Sequence, residues 1–219
     1  NFFSSRSAAA VRNIFLSFLI VLPPAFLIFI QPDIGNALPI FAIWVSIAFV
    51  AGFEFKPFLA FSILVVFVGL LLFQFLEPYQ KARIETYINP TQDRLGTGYQ
   101  IIQSKIAIGS GQLLGKGLGQ ATQSQLKFLP ESESDFIFAS ITESLGFFGS
   151  LLLVVLYSIL VVRILGFAKT KNRFAQLVVS GTVAFLGIQM LINVSMNMGY
   201  VPVTGITLPL VSYGGSSLL

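Results

Sequence analysis

Cysteine and histidine are both absent from this chain of 219 residues, and charged side chains make up only 10% of it. Without cysteine, the chain has neither a disulfide framework nor a thiolate metal site. Without histidine, it lacks the commonest general base and metal ligand. Any acid–base chemistry therefore falls to carboxylates, lysines or tyrosines.

Charge is scarce because apolar runs take up most of the sequence. Hydrophobic residues make up 55% of the chain and its mean hydropathy is +0.84, whereas a soluble domain is about 25% charged. The runs are continuous, without the alternation of barrel strands, and a spanning helix needs about 20 apolar residues. We therefore predict an all-α, polytopic transmembrane bundle. The predicted spans cover residues 14–30, 38–53, 58–76, 136–162, 175–198 and 205–219, the last of them incomplete.

The chain begins at Asn1 rather than at a methionine and stops at Leu219 inside an apolar run. We expect it to be an internal fragment of a longer protein. The spans predict one membrane domain over residues 1–219.

The basic residues of the short connections fall on one side if the spans alternate. They are Arg6, Arg12, Lys56, Arg163, Lys169, Lys171 and Arg173. This distribution is typical of a cytoplasmic side, so the long connection at residues 77–134 is predicted to be an extracytoplasmic loop. Its six basic residues are balanced by six acidic residues when Asp135, directly after the loop, is included. The isoelectric point near 9.5 thus reflects topology and does not indicate nucleic-acid binding.

The most informative charged segment is FLPESESDFIF, residues 128–138, which carries three acids directly before the fourth predicted span. Glu131, Glu133 and Asp135 are predicted to lie where the outer loop meets lipid. Ionisable groups at such a boundary are costly, so their presence indicates a function.

Other polar residues fall inside the predicted spans. Glu143 follows Asp135 by eight positions and is expected to face the bundle, either as a hydrogen-bonded tie or as a catalytic group. Gln189, Asn193 and Asn197 recur every four residues and form a polar stripe. The stripe predicts either hydrogen bonds between helices or the lining of a cavity.

The outer loop is rich in glycine and basic residues. Its segment 99–108 is short and amphipathic, which suits a position on the membrane surface or a re-entrant one. The run GQLLGKG at residues 111–117 is one residue shorter than a P-loop, and neither Ser nor Thr follows its lysine, so no nucleotide site is predicted. Lys116 is either solvated or attracts an anionic headgroup, such as a lipid pyrophosphate. Its partners in the second case are Lys105, Arg83 and Lys127.

Five motifs, in order along nearly the whole chain, resemble the SEDS family (shape, elongation, division and sporulation), whose best-known members are RodA and FtsW. They are QPDIGNA (31–37), PYQKARI (78–84), GYQIIQSKIAIGSG (98–111), FLPESESDFIF (128–138) and PVTGITLPLVSYGGSS (202–217). The middle motifs are closer to RodA, whereas the last is closer to FtsW and the sporulation members. The subtype stays open, with RodA slightly favoured.

The resemblance implies a ten-helix peptidoglycan glycosyltransferase of the bacterial cytoplasmic (inner) membrane, of which this chain covers about the last six helices. Such an enzyme polymerises lipid II into glycan strands on the outer face, for cell elongation or division, and releases undecaprenyl pyrophosphate. The resemblance also implies a partner, a class B penicillin-binding transpeptidase.

The resemblance assigns roles to two of the acids. The essential aspartate of the family motif maps onto Asp135, and the glutamate of that motif maps onto Glu131. The usual His-Thr pair is replaced here by Glu133-Ser134, and a second acid near the base can raise its pKa or change substrate preference. The following motif retains Glu143 but has lost its neighbouring carboxylate.

The predicted chemistry suits these residue types. Transfer from a lipid pyrophosphate has a good leaving group, so it needs a base for the attacking hydroxyl and cations for the departing pyrophosphate. Asp135 is the candidate base, and Arg83, Lys105 and Lys116 are the candidate cations. Mg²⁺ or Mn²⁺ is compatible with carboxylates, but the sequence demands no metal or other cofactor.

Two other classes compete with an enzyme. A flippase for the lipid-linked precursor would also be polytopic, but it would be expected to show broken helices, repeats or a charged midplane path. A non-catalytic scaffold does not account for an acidic motif beside a basic, glycine-rich loop. The flippase is therefore the alternative.

Overall fold

A computed structural model of the chain describes residues 11–30, 34–53, 63, 85–87, 89, 93, 96–126 and 128–213. Among these residues every regular element is helical and none is a strand. Apart from Ile63, the predicted span at 58–76 lies outside the described residues, as do Arg83 and Lys127.

The helices are numbered in chain order. They are α1 (Val11–Ile30), α2 (Ile34–Val50), α3 (Thr97–Gly111), α4 (Thr122–Gln125), α5 (Ile137–Gly166) and α6 (Arg173–Asn197), with a 3-10 turn at Phe167–Lys169. By length and composition, two described segments are suited to cross a membrane, namely α5 with its 3-10 turn and α6. Helix α1 contains Pro23 and Pro24 in its interior and does not end at them, although prolines inside a helix can kink or end it.

The chain divides into two compact units. The first unit contains α1, α2 and the beginning of α6, and its core is built around Trp44. The Trp44 Nε1 donates to Ser17 Oγ at 3.0 Å, and Arg173 donates to the Ala51 carbonyl at 2.7 Å. An apolar pocket of about 270 Å³ lies beside Trp44.

The second unit, residues 79–161 and 186–219, carries all the described candidate site residues. Its core consists of Ile101, Ala107, Leu129, Phe136, Ala139, Met196 and Val203. Helix α3 lies in the predicted outer loop and is regular over fifteen residues. One face of α3, with Ile101, Ser104 and Ala107, is buried, because residues three to four apart share a helix face.

The chain after α6 departs from the prediction. A span was predicted from residue 205, but residues 201–213 form irregular chain and a turn, and residues 214–219 lie outside the described part. Gly205 and Leu210 have left-handed backbone conformations, with φ of 72° and 68°. Pro209 also lacks a backbone donor, so these residues do not support a regular helix. The apolar side chains that suggested a span are buried instead, including Ile206 and Leu208.

Candidate functional site

The acidic segment forms a tight turn before α5. Leu129 and Phe136 are each 1% exposed and anchor the two ends of the turn in the core. Between them, Glu131 has a left-handed backbone with φ of 52°. Its carbonyl accepts hydrogen bonds from the Ser134 and Phe136 nitrogens at 3.2 and 3.1 Å. Ser134 Oγ also donates to the Glu131 carboxylate at 2.9 Å, so Ser134 holds the Glu131 side chain.

An open pocket of about 490 Å³ lies against this turn. Its lining consists of residues 129–134 and Tyr213. The segment after α6 closes one side, because the Tyr213 nitrogen donates to the Glu133 carbonyl at 2.8 Å and Ser212 Oγ donates to the Ser134 carbonyl at 2.7 Å. Both glutamates of the lining are exposed. The pocket therefore has an acidic wall that is open to solvent.

Asp135 lies at the junction of this turn and α5, and its side chain is partly exposed. Its carbonyl oxygen accepts two hydrogen bonds from α6, from Asn193 Nδ2 at 2.9 Å and from Asn197 Nδ2 at 3.0 Å. Its carboxylate faces Gly205, where an added Cβ would lie 3.5 Å from Oδ2. The backbone of the candidate base is therefore held from α6, while its carboxylate points at the segment that follows α6.

Asn197 makes further contacts that join three helices. Its Oδ1 accepts a hydrogen bond from the Ala139 nitrogen in the first turn of α5, at 3.0 Å. Its own carbonyl accepts one from Ser104 Oγ of α3, at 2.8 Å. These contacts agree with the first interpretation of the polar stripe, in which its side chains form hydrogen bonds between helices. Gln189 differs, since its buried Oε1 has no hydrogen-bond partner among the described residues.

Glu143 is fully buried, and both of its carboxylate oxygens accept hydrogen bonds from the loop that follows α3. Oε1 accepts from Lys116 Nζ and the Gln123 nitrogen, each at 3.0 Å, and from Thr122 Oγ1 at 3.4 Å. Oε2 accepts from the nitrogen and hydroxyl of Ser124, at 3.2 and 2.9 Å. Two of these donors are amides of the first turn of α4, where a helix attracts negative charge. Glu143 thus fastens this loop to α5.

The same loop forms backbone hydrogen bonds with α5 where that helix is interrupted. Gly146 has φ of 70° and ψ of −164°, which interrupts the helix. Across the break, the nitrogens of Phe147 and Phe148 donate to the carbonyls of Gln112 and Leu113, at 2.8 and 3.3 Å. In the other direction, the carbonyls of residues 143 and 144 accept from the nitrogens of residues 116 and 117, at 3.0 and 2.9 Å. Backbone groups freed by a helix break must be satisfied when they are shielded from water, and the glycine-rich loop satisfies them.

The candidate cations occupy different places. Lys116 is 29% exposed and forms its ion pair with Glu143. Lys105 is exposed on α3, and its side chain lies alongside Gly199, where an added Cβ would collide with Lys105 Cε. Sequence reasoning missed the segment of residues 205–213 as part of the site. Its signal was the two prolines and the glycines of the last family motif, which argue against a regular span.

No cluster of three or more His, Cys, Asp or Glu suited to a metal ion occurs in the part of the chain that the structure describes. The acidic turn offers two glutamates to the pocket, with Asp135 outside its lining. These carboxylates do not make a site for Mg²⁺ or Mn²⁺ by themselves.

The chain is similar to a family of known proteins. Residues 3–219 match the FtsW, RodA and SpoVE family model, described as "Cell cycle protein". The peptidoglycan glycosyltransferase MrdB of Escherichia coli K12 is 39% identical over 212 residues, which cover 96% of this chain and 57% of MrdB. Stage V sporulation protein E of Bacillus subtilis is 41% identical over 217 residues, covering 97% of this chain and 58% of that protein.

Two solved structures are similar to this chain. One, from work on "structural coordination of polymerization and crosslinking by a peptidoglycan synthase complex", has a TM-score of 0.78 and 33% identity, covering 99% of this chain and 60% of that one. The rod shape determining protein RodA of Thermus thermophilus has a TM-score of 0.63 and 28% identity, covering 99% and 55%. These likenesses and the two long apolar helices confirm the predicted all-α, polytopic membrane fold. The chain spans between 55 and 60% of the length of these four relatives.

Proposed function

The chain belongs to the FtsW, RodA and SpoVE family, and from this premise we propose that it acts as a peptidoglycan glycosyltransferase. The proposed substrate is lipid II, which is polymerised into glycan strands at the outer face of the bacterial cytoplasmic membrane. The lipid product is undecaprenyl pyrophosphate. The names of MrdB and of the synthase complex support this reading.

The observation that carries the proposal is the setting of Asp135. Asp135 is partly exposed and directly follows the pocket residue Ser134, whereas its backbone carbonyl is held by buried amides. A general base must combine access to substrate with a defined position. In the proposed step, Asp135 removes the proton from a sugar hydroxyl as the hydroxyl oxygen bonds to the anomeric carbon. The bond from that carbon to the pyrophosphate oxygen breaks, and its electron pair leaves with the lipid pyrophosphate.

The other site residues receive proposed roles according to their contacts. Glu131 lines the pocket with its carboxylate held by Ser134, and we assign it to binding the sugar. Arg83 and Lys105 stay proposed cations for the pyrophosphate. Lys116 is already paired with a buried carboxylate, so its contribution to an anion is reduced and its main role is to hold the loop.

The proposed partner is a class B penicillin-binding transpeptidase. Its support is the likeness to a chain studied as part of a peptidoglycan synthase complex. The proposed orientation puts the acidic turn and the pocket outside the cell, in agreement with the basic residues Arg163, Lys169, Lys171 and Arg173 at the other end of α5 and the start of α6.

The test is polymerisation of purified lipid II by the full-length protein. Asp135→Asn is isosteric and is expected to reduce the rate by at least about 100-fold, because the base is lost, while lipid II binding is retained. Glu85→Gln is the matched control and is expected to polymerise at the normal rate, since it neutralises an exposed carboxylate that does not line the pocket. Normal glycan synthesis by Asp135→Asn would refute the assignment of the base. Transport of lipid II across vesicles without polymerisation by the unmodified protein would favour the flippase.

A further inference from the structure

Asn193 and Asn197 direct their side chains at one backbone atom. Both Nδ2 groups donate to the carbonyl oxygen of Asp135, at 2.9 and 3.0 Å. Both asparagines are fully buried. A carbonyl oxygen has two lone pairs, so the pair of amides satisfies it completely.

The same two amide groups also form hydrogen bonds to the segments around Asp135. Asn193 Nδ2 also donates to the Ile206 carbonyl at 2.8 Å. Asn197 Nδ2 donates to the Asn193 carbonyl at 2.8 Å, and its Oδ1 accepts from the Ala139 nitrogen. The Ala139 contact defines which amide atom of Asn197 is oxygen, and hence which one faces Asp135.

Asn193 therefore connects the two sides of the space around the candidate base. One of its hydrogens holds Asp135, and the other holds Ile206, the neighbour of the glycine that faces the Asp135 carboxylate. The segment of residues 201–213 is irregular, so it has no ladder of its own to fix its distance from α5. Asn193 holds it at Ile206, beside the candidate base, while Ser212 and Tyr213 hold its far end at the acidic turn.

We propose that Asn193 and Asn197 are positioning residues that hold the Asp135 base at a defined place and set its distance from the Gly205–Ile206 wall. The inference rests on the proposed function, in which Asp135 is the base. Losing one buried hydrogen bond would affect stability wherever it occurs, whereas losing these bonds also displaces the reacting carboxylate. A displacement of about 1 Å can cost about 100-fold in rate.

Asn193→Leu in the full-length protein tests this. Leucine resembles asparagine in size but has no donor, and Asn197 still holds the Asp135 carbonyl. We expect kcat for lipid II polymerisation to fall by about tenfold to 100-fold, while KM changes less than about threefold. Ser104→Ala is the matched control, because it removes an equally buried hydrogen bond to the Asn197 carbonyl without any contact to Asp135. It is expected to lower the thermal midpoint by less than Asn193→Leu, which removes two donated bonds, and to leave kcat unchanged.

The outcomes separate this inference from the proposed function. If Asp135→Asn is inactive but Asn193→Leu polymerises at the normal rate, the positioning role is refuted and the base assignment survives. If Asp135→Asn is fully active, the assignment of Asp135 as the base is refuted, and the positioning role is refuted with it. Asn193→Ser provides a second, smaller substitution with the same expected loss of kcat. If neither Asn193 variant folds while Ser104→Ala does, or if Ser104→Ala loses kcat equally, the amides are structural and the inference is overturned.

Discussion

Asp135 lies just before α5 and Glu143 lies near its start, and the two carboxylates have contrasting surroundings. At Glu143 the loop after α3 places its donors on the carboxylate itself, which is fully buried. At Asp135 the asparagines of α6 take the backbone carbonyl, and the carboxylate stays partly exposed next to Gly205. Buried donors on the Glu143 carboxylate suit a structural role, whereas Asp135 is positioned through its backbone and is partly exposed, which suits chemistry.

The largest effect on the Glu143 region is expected from Gly146→Ala. The left-handed φ of 70° is strained for alanine, and an added Cβ would collide with the backbone of Gly115 and Leu113. Strain and overpacking together should cost about 4 kcal/mol, seen as a large drop in the thermal midpoint of the purified protein. Gly187→Ala is the control, because nothing lies within 4 Å of an added Cβ there. Equal midpoints for the two variants would contradict the backbone pairing across the break.

Glu143→Gln is expected to lower the stability of the protein while leaving its polymerisation activity nearly unchanged. The amide is isosteric, but it leaves the Lys116 ammonium unpaired and aims an NH₂ group at donors of α4. Replacing a fully buried acceptor of several hydrogen bonds by an amide that donates costs about 3 kcal/mol, so we expect a lower thermal midpoint and faster proteolysis in the loop at residues 112–126. The polymerisation rate of the folded fraction should stay within about threefold of normal, in contrast to Asp135→Asn. A loss of kcat of about 100-fold without a loss of stability would make Glu143 catalytic and end the contrast.

Lys116→Ala is expected to have the smallest effect, because its ammonium is partly exposed and the other donors to Glu143 remain. We expect a cost of about 1 kcal/mol and an unchanged KM for lipid II. Lys105→Ala is the variant for comparison. Lys105 is exposed on α3, whereas Lys116 forms the ion pair with Glu143. A rise in KM for Lys116→Ala alone would restore its proposed role with the pyrophosphate.

Part of this site could be read from the chain and part could not. The acids of residues 131–135 and the stripe at 189–197 are recognisable because polar groups are unusual next to apolar runs. The stripe spacing also places its members on one helix face. The partner of Glu143 was not recognisable, because Lys116 lies 27 positions away across a loop and a helix. Nor was the break at Gly146, since a single glycine in an apolar run is compatible with an uninterrupted helix.

Hydropathy and charge act locally along the chain, so the residues alone define the class of protein and the positions of unusual polar groups. What each polar group does depends on its tertiary contacts. The burial of a carboxylate as a structural tie depends on its donors, and those donors come from segments distant in sequence. The loop after α3 supplies them to Glu143, while α6 and the irregular segment behind it surround Asp135.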